Sequence, residues 1–392
     1  MLKEKLVFEF YEFFSGGGMA RAGLGDAWTC RFANDIDEMK CSAYAENWGS
    51  DHLKIGDVND VVTSDLPGEV DLSWASFPCQ DLSLAGAYAG IGHRSKKDQS
   101  RSGTFWPFWS LMRQLQDENR APKIIALENV YGILRSNGGK DFQAVASAFS
   151  GADYRFGCVV IDAKHFVPQS RPRVFIVGIR KDIEVPFASI ADEPDALWHP
   201  RALVDAHFGL SSEAKRKWVW WNIPKPAARN KSFSDIIKDD ISGVNWNSDF
   251  ETNRLLAMMT DKNLGKVDEA KQSGSRKVGG LYRRTRKENG ETVQRAEVRF
   301  DDVSGCLRTP TGGSSRQTIL LVNGETVKSR LLAPLEAIEL MGLTQEYKLP
   351  AKYNDAYHVA GDGVVVPVVR HLAEHVFEPI LRQNQASGIA AE

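Results

Sequence analysis

The sequence predicts an open α/β fold over its first half, followed by a second, smaller domain. Three observations support this fold class. An apolar segment, residues 6–14, runs into a glycine-rich turn and a helical pattern, the order that builds a ligand site at a helix N-terminus. Two further apolar segments, residues 70–75 and 123–127, read as buried strands and are followed by polar residues. The 392 residues, 42% of them hydrophobic, suffice for a large core and two domains.

The glycine-rich turn comes first along the chain. Gly16, Gly17 and Gly18 follow the first predicted strand, and a helical pattern then continues to about Trp28. The spacing Gly16-x-Gly18-x4-Gly23 differs from the GxGxxG pattern of dinucleotide-binding domains. Taken alone, the turn is compatible either with a nucleotide site or with a tight structural turn.

Two aspartates strengthen the nucleotide interpretation. Residues 29–34 read as the second strand, and Asp35 ends it some twenty residues after the turn, where a carboxylate can accept from both ribose hydroxyls. Asp57 follows Gly56 after a third short segment, where it could accept from an adenine amino group. Each aspartate alone could equally be a helix cap or turn residue. Together with the turn, they favour a cofactor that contains adenosine.

Cys79 follows the strand predicted at residues 70–75 and stands directly after Pro78, before a loop rich in Gly, Ser, Lys and Arg that runs to about Gly103. Open α/β sheets bind their ligands at the carboxyl ends of the strands. A cysteine at this edge is well placed to act as a nucleophile, although a lone cysteine is more commonly a buried structural thiol.

Glu128 occupies the same kind of position on another strand. An amphipathic helix is predicted over residues 104–119, then a buried strand over residues 123–127, which ends in Glu128-Asn129-Val130. A glutamate at this point is costly to bury unless it has a partner or a function. The sequence therefore predicts a nucleophile, Cys79, and a proton donor, Glu128, on one rim of one sheet.

A closing hairpin is predicted from residues 155–161 and 173–179. Gln169, Arg171 and Arg173 alternate just before and at the start of its second strand, so we expect their side chains to share one face. Two guanidinium groups on that face would suit an anionic or carbonyl-bearing ligand.

These blocks, in this order, resemble the DNA (cytosine-5)-methyltransferase family. The resemblance covers roughly residues 5–180 and 328–382. The matching blocks are Phe14-Ser15-Gly16-Gly17-Gly18, Asp35, Gly56-Asp57, Pro78-Cys79-Gln80, Glu128-Asn129-Val130, Gln169-x-Arg171-x-Arg173, residues 330–342 and Gly361-Asp362-Gly363-Val364. The chain departs from the family pattern in three places, namely Met19 in place of a glycine, Leu335 in place of a common arginine, and Asp362-Gly363 in place of Asn with a small residue.

The resemblance implies an S-adenosylmethionine-dependent methyltransferase with a Rossmann-like domain and a smaller, β-rich target recognition domain. It implies that Cys79 attacks C6 of a flipped-out cytosine and that C5 then takes the methyl group. The catalytic residues that it implies are Cys79, Glu128, Asn129, Arg171 and Arg173. The cofactor-binding residues that it implies are Phe14, Gly16, Gly18, Asp35, Ile36, Asp57, Pro78 and Asp362.

Charge distribution agrees with a nucleic-acid partner. The net charge is only −2, but residues 201–330 hold 24 lysines and arginines against 16 aspartates and glutamates, while the rest of the chain has an excess of ten negative charges. By the resemblance this interval recognises double-stranded DNA. The expected DNA-binding residues, in this interval and in the loop after Cys79, are Gln80, Ser83, Arg94, Lys96, Lys97, Arg101, Arg283, Arg284, Arg286 and Arg316.

The expected domains are a catalytic and cofactor-binding domain at residues 1–183, a target recognition domain at 184–345, and a C-terminal segment at 346–392 that returns to the catalytic domain.

The five cysteines lack metal-site spacing, which predicts no metal and a reduced, cytoplasmic protein. We find no apolar run of transmembrane length and no signal sequence.

Three rival functions remain to be weighed. A tRNA cytosine-5 methyltransferase of the same fold is the closest alternative, although that subclass is compact and lacks a recognition segment of this length. A silent DNA-binding regulator would have lost Cys79 or Glu128, and a nicotinamide-dependent oxidoreductase would not need both together with paired arginines. We expect a monomer, and a cognate restriction endonuclease, if there is one, would act separately.

Overall fold

The computed structural model describes residues 7–78, 104–288, 290–308 and 316–391. The chain divides into two compact units. The first unit comprises Met1–Asp162, Pro172–Pro226 and Val366–Glu392, and the second comprises Ala163–Arg171 and Ala227–Val365. Residues 184–226 therefore belong to the first unit, and residues 346–365 to the second, so the units follow other boundaries than the expected domains. The functional roles of those domains stay predictions.

The first unit is built on a mixed β-sheet. Within the described residues it has seven strands, β1 (Phe8–Phe13), β2 (Trp28–Asp35), β3 (Leu53–Ile55), β4 (Leu72–Ala75), β5 (Ile124–Val130), β6 (Tyr154–Asp162) and β7 (Pro172–Arg180). Their order is β3-β2-β1-β4-β5-β7-β6, with parallel pairing from β3 to β5 and antiparallel pairing of β7 to both neighbours. The carboxyl ends of the parallel strands thus meet at one edge, as the fold class requires.

Helices cover this sheet. They are α1 (Met19–Leu24), α2 (Glu38–Trp48), α3 (Phe105–Asp117), α4 (Lys140–Gly151), α5 (Arg201–Phe208) and α6 (Ser212–Arg216), and a two-residue strand pair, β8 (Ile190–Ala191) with β9 (Trp220–Trp221), lies among the last of them. The helix expected to reach Trp28 ends at Leu24, because Gly25 takes a positive φ of 77° that stops it. Trp28 instead begins β2.

Helix α3 shows why the apolar pattern folds as it does. One face of the helix is apolar and buried, with residues that recur mostly three and four positions apart, namely Phe105, Phe108, Trp109, Leu111, Met112 and Leu115. Phe108 packs edge-on against Phe13 of β1, with 5.0 Å between ring centroids. Fully burying one such side chain contributes about 2–3 kcal/mol, so this single stripe anchors the helix to the sheet.

A buried carboxyl group lies in the middle of the sheet. Glu12 of β1 is 1% exposed, and its carboxylate accepts a hydrogen bond from the Arg21 main-chain N–H at 3.3 Å. Burial raises the pKa of Glu12 to about 8, against a usual value of 4.5. The folded chain therefore holds this proton at pH values where the unfolded chain has lost it.

Glu12 should make the wild type lose stability as the pH rises from about 4.5 to about 8. We expect Glu12→Gln to remove this dependence. The free energy of unfolding of the variant, minus that of the wild type, should therefore increase by about 1.4 kcal/mol per pH unit across that window. Urea denaturation at several pH values measures the difference. Glu9→Gln, on the same strand in a half-exposed pair with Arg31, is the control. A pH-independent difference for Glu12→Gln would contradict the prediction.

The second unit is built around an antiparallel sheet. Its helices are α7 (Phe233–Ile236), α8 (Asp249–Ala257), α9 (Asp261–Gln272), α10 (Pro334–Leu340) and α11 (Tyr353–Asp362), and its strands are β10 (Lys277–Glu288), β11 (Glu291–Arg299), β12 (Thr318–Asn323) and β13 (Thr326–Leu331). The strand order is β11-β10-β12-β13. The small core holds Met259, Val267, Ala270, Leu281, Ala296, Val298, Leu320 and Val322. This β-rich unit agrees with the predicted fold class.

The chain ends in the first unit with α12 (Val366–Leu372), a π-helical turn (Ala373–Phe377) and α13 (Glu378–Ala391). Helix α12 packs closely on α1, because a Cβ placed on Gly23 would overlap the side chain of Val369. The Trp28 indole N–H also donates to Glu378 at 3.2 Å. The C-terminal segment thus supports the helix that follows the glycine turn. None of the described helices combines the length and the apolar character that a membrane span requires.

Candidate functional site

The glycine turn is held in place by Asp35. One carboxylate oxygen of Asp35 accepts from the Gly16 N–H at 2.8 Å and the other from the Asp37 N–H at 2.9 Å. Phe14 has a positive φ of 56°, so the chain turns sharply as it leaves β1. A carboxylate can accept about four hydrogen bonds, which leaves Asp35 capacity for two hydroxyl donors. A Cβ on Gly16 would meet no atom within 4 Å in the part of the chain that the structure describes, so those residues leave the turn open on that side.

Ile36 and Asp57 lie beside this turn along the strand ends. The Ile36 side chain is 67% exposed, which is unusual for an isoleucine and suits contact with a flat apolar ring. Asp57 caps a short 3₁₀ helix, its Oδ1 accepting from the Asn59 main chain and side chain at 2.9 and 2.8 Å. The capping role weighed for Asp57 is therefore present, and it engages one carboxylate oxygen.

The turn is also held by an aromatic residue that the sequence analysis did not single out. The Trp48 indole N–H donates to the Gly17 carbonyl at 3.1 Å. A Cβ on Gly18 would overlap this indole and lie 2.9 Å from Cε2 of Tyr44. Met19 is the first residue of α1 and its side chain is buried, so it lies in the helix and not in the turn. The methionine that replaces the family's glycine at position 19 is thus accommodated in the core, outside the turn itself.

If the turn binds S-adenosylmethionine, as the resemblance implies, replacing Gly18 by alanine should weaken that binding at least tenfold. Gly18 has a positive φ of 78°, and a non-glycine residue there stores about 1–3 kcal/mol of strain in addition to the clash with Trp48. Gly49→Ala is the matched control, since Gly49 also has a positive φ, 83°, but its Cβ would meet no atom of the described residues within 4 Å. Calorimetric titration with the cofactor separates them, and equal affinities would contradict the prediction.

Buried Glu128 and half-buried Arg173 form an ion pair at the same edge. Glu128 is 8% exposed, and its Oε1 lies 3.1 Å from Nε of Arg173 on the neighbouring strand β7. The pairing register, in which Val130 of β5 faces Arg173, brings the two side chains together. Burying a charge without a partner is strongly unfavourable, so the pair explains how a carboxylate can stay here.

Asn129 fixes the chain ahead of the proposed nucleophile. Its side-chain N–H donates to the Phe77 carbonyl at 3.0 Å, and its side-chain oxygen accepts from the Val130 N–H at 2.9 Å. Asn129 is 3% exposed, so both bonds are shielded from water. Pro78, which follows Phe77, is exposed. Several predicted site residues lie outside the described residues, namely Cys79, Gln80, Ser83, Arg94, Lys96, Lys97 and Arg101.

Three of the other four cysteines have structural positions, and the fourth, Cys306, is half-buried. Cys30, Cys41 and Cys158 are buried, and burial raises the pKa of Cys30 and of Cys41 to about 12 and that of Cys158 well above its usual value. A thiol acts as a nucleophile through its thiolate, so these three are inert at neutral pH. Among the described residues, no group of three or more His, Cys, Asp or Glu side chains is arranged to hold a metal ion.

The expectation that Gln169, Arg171 and Arg173 share one strand face is wrong, because β7 begins only at Pro172. Gln169 and Arg171 belong to the second unit. Gln169 is fully buried, with its amide N–H donating to the Leu340 carbonyl at 2.9 Å and its amide oxygen accepting from the Leu307 N–H at 3.2 Å.

Arg171 holds segments of the second unit together. It is 3% exposed and donates to the main-chain carbonyls of Leu307, Gly361 and Gly363 at 3.2, 2.9 and 2.8 Å. Asp362, between the last two, is exposed. Arg171 is therefore a positioning residue, whose guanidinium holds main-chain carbonyl groups of the second unit by hydrogen bonds.

The predicted DNA-binding arginines that the structure describes differ in their surroundings. Arg283, Arg284 and Arg286 are exposed on β10. Arg284 and Arg286 both form ion pairs with Glu297 of β11. The Arg316 guanidinium lies over the Tyr353 ring, 5.5 Å from its centroid. Sequence alone could not separate paired from unpaired arginines, since the pairing depends on the strand register.

Comparison with known proteins supports the resemblance. The sequence model of the family described as C-5 cytosine-specific DNA methylase matches residues 8–378. The chain is 24% identical over 387 residues to the Type II methyltransferase M.MspI of Moraxella sp, covering 97% of this chain and 73% of that protein. It is 24% identical over 382 residues to the Type II methyltransferase M.HhaI of Haemophilus parahaemolyticus, covering 95% of each.

Solved structures agree in fold. The Dnmt2 methyltransferase of S. pombe matches with a TM-score of 0.57 and 16% identity, covering 95% of this chain and 99% of that one. The methyltransferase EhMeth of Entamoeba histolytica matches with a TM-score of 0.55 and 14% identity, over 95% and 99%. The predicted family and fold class are confirmed. The chain belongs to the C-5 cytosine-specific DNA methylase family and is a DNA cytosine-5 methyltransferase.

Proposed function

We propose that the enzyme flips a cytosine out of duplex DNA at a short specific sequence and methylates its C5 through a covalent bond between the Cys79 sulfur and C6. The observation that carries this proposal is the edge formed by the Glu128–Arg173 pair and by Asn129, which holds the Phe77 carbonyl two residues ahead of Cys79. Base flipping is needed because the ring faces on which C6 and C5 react are covered by the neighbouring bases of the stacked duplex.

Cys79 activates a carbon that is otherwise a poor nucleophile. When its thiolate adds to C6, electron density moves to C5, which becomes an enamine-like carbon able to take a methyl group. Loss of the C5 proton then restores the ring and releases the thiolate. A free thiol has a pKa of about 8.5, so the enzyme must favour the thiolate, and Arg173 together with main-chain N–H groups would do so.

Glu128 and Arg173 would bind the flipped base. The Glu128 carboxyl would contact N3 and the exocyclic amino group and offset the negative charge that develops as the thiolate adds. Arg173 would contact the cytosine carbonyl. Their pairing at 3.1 Å supports these roles, because it holds both groups in place before the substrate arrives. Asn129 and Arg171 would support the site without touching the base.

The residues at the glycine turn fit S-adenosylmethionine, which would supply the electrophilic methyl group. Asp35 retains acceptor capacity for the two ribose hydroxyls, and exposed Ile36 offers an apolar surface to the adenine. Asp57 keeps one carboxylate oxygen for the adenine amino group. The complete proposed set is Phe14, Gly16, Gly18, Asp35, Ile36, Asp57, Pro78 and Asp362.

We further propose that the enzyme acts as a cytoplasmic monomer. Two of its relatives are named Type II methyltransferases, and a cognate restriction endonuclease, if there is one, would act separately.

Transfer of labelled methyl groups from S-adenosylmethionine to three substrates tests the proposed function. We expect incorporation into duplex DNA that contains many sequences, at a motif-dependent level, and none into tRNA or into DNA with 5-methylcytosine at the recognised position. Incorporation into tRNA alone would overturn the proposal in favour of the tRNA methyltransferase of the same fold. The Cys79→Ala variant serves as the negative control.

A further inference from the structure

Strands β10 and β11 extend beyond the core of the second unit as a two-stranded ribbon. At the base of the ribbon, Leu281 and Val298 face each other and are buried, and Ala296 is fully buried. Beyond them, residues 283–288 and 291–295 are exposed or half-buried in the part of the ribbon that the structure describes. Six residues of β-strand span about 20 Å. Since an isolated two-stranded ribbon is marginally stable in water, this projection suggests a partner.

One face of the ribbon presents unpaired polar groups. Side chains on one strand alternate between faces, and directly paired residues lie on the same face. The pairs Thr285 with Gln294 and Lys287 with Thr292 therefore share a face with Arg283. All five side chains are exposed, and none has a hydrogen bond or ion pair to a residue that the structure describes. We call these five residues the open face; it carries two cations and no acid.

On the opposite face of the ribbon, positive and negative side chains pair with one another and their charges cancel. Arg284 and Arg286 both pair with Glu297, and Arg295 pairs with Glu288. Together with Glu291, three arginines stand against three glutamates, so this face has no net charge. Exposed ion pairs contribute little to stability, but they remove the attraction that these arginines would otherwise have for a polyanion. The attraction is left to the open face.

We propose that the open face enters the major groove of the DNA substrate and sets the recognised sequence. The major groove, about 12 Å wide, admits a two-stranded ribbon. An arginine pairs with the guanine O6 and N7, and a glutamine with the adenine N6 and N7, so Arg283 and Gln294 would read base edges. Lys287, nearer the end of the ribbon, would bind a phosphate as a point charge.

This inference rests on the proposed function, in which duplex DNA is the substrate. It changes the expectation for the β10 arginines, because Arg284 and Arg286 then shape the ribbon through Glu297 and do not contact DNA. It also separates two roles on one face. Arg283 contributes to discrimination between DNA sequences, and Lys287 contributes to affinity for duplex DNA of any sequence.

The test compares three open-face variants, Arg283→Ala, Gln294→Ala and Lys287→Ala, with Arg295→Ala on the opposite face. Arg295→Ala removes one positive charge, as Arg283→Ala and Lys287→Ala do. Affinity for duplex DNA is measured at several salt concentrations, and methylated sites are read at base resolution. We expect Arg283→Ala and Gln294→Ala each to lower discrimination at one base pair by about tenfold or more. We expect Lys287→Ala to lower the slope of log affinity against log salt by about one and to keep the motif. Arg295→Ala should match the wild type within threefold.

An unchanged motif in Arg283→Ala and Gln294→Ala, or equal losses in the Lys287→Ala and Arg295→Ala variants, would overturn the inference. Failure of the proposed function is seen separately, in the wild type. A wild type that binds duplex DNA without methylating it contradicts the proposed function, while the binding data still test the ribbon. A wild type that does not bind duplex DNA overturns both.

Discussion

The Cys79→Ala variant should lose methyl transfer to DNA by at least about 10⁴-fold, the scale of loss seen when a covalent nucleophile is removed. Without the thiolate, no bond forms to C6, and C5 stays too electron-poor to take the methyl group. Duplex binding and S-adenosylmethionine binding should persist, because neither requires that bond. Single-turnover methyl transfer measures the loss, and calorimetry checks that the cofactor still binds.

A mechanism-based trap sharpens this prediction. In DNA with 5-fluorocytosine at the recognised position, fluorine replaces the proton that must leave C5, so the adduct should persist as a denaturation-resistant complex. We expect this complex with the wild type and with Cys158→Ala, which removes a thiol buried in β6, and not with Cys79→Ala. Methyl transfer by Cys79→Ala at a rate near that of the wild type would show that Cys79 is not the nucleophile.

The Glu128→Gln variant should have the second largest effect, a fall in turnover of about 10²–10⁴-fold. Glutamine keeps the shape of the side chain, but it cannot give the proton that offsets the negative charge developing on the base as the thiolate adds. The change also removes the negative charge that lies 3.1 Å from Nε of the half-buried Arg173. We therefore expect a lower melting temperature together with the lower turnover. The cofactor should still bind, because its proposed site is the glycine turn.

Glu69→Gln provides the matched control for this variant. Glu69 pairs with Arg180 at the other end of β7, 3.0 Å apart, but the glutamate is partly exposed. Its loss should leave turnover within threefold of the wild type. If Glu128→Gln stays folded and also keeps turnover within threefold, the proposed role of Glu128 in binding the cytosine is wrong.

The sheet and its functional edge were predictable because short-range patterns encode them. Apolar runs located β1, β4 and β5. Asp35, which ends β2, and Glu128, two residues before the end of β5, were singled out from their positions alone. The end of α1 was misplaced because a glycine with positive φ, Gly25, stops the helix where composition still favours it.

Features that depend on tertiary contacts were not predictable. Residues 184–226 have irregular patterning, yet Phe156 of β6 pairs with Trp218 as an isolated bridge that ties this segment to the first unit. The bond from Trp48 to the glycine turn joins positions with no local signal. The ion pairs of Glu297 with Arg284 and Arg286 follow from a strand register that only the folded hairpin defines.

The most direct test of Cys79-dependent DNA methylation is base-resolution sequencing of 5-methylcytosine in DNA from methylation-free cells that express the wild type or Cys79→Ala. We expect 5-methylcytosine at one short motif with the wild type and background levels with Cys79→Ala. DNA without 5-methylcytosine in the wild-type cells, with the protein present and folded, would contradict the claim that this enzyme methylates DNA. Equal marking by both proteins would contradict the covalent mechanism.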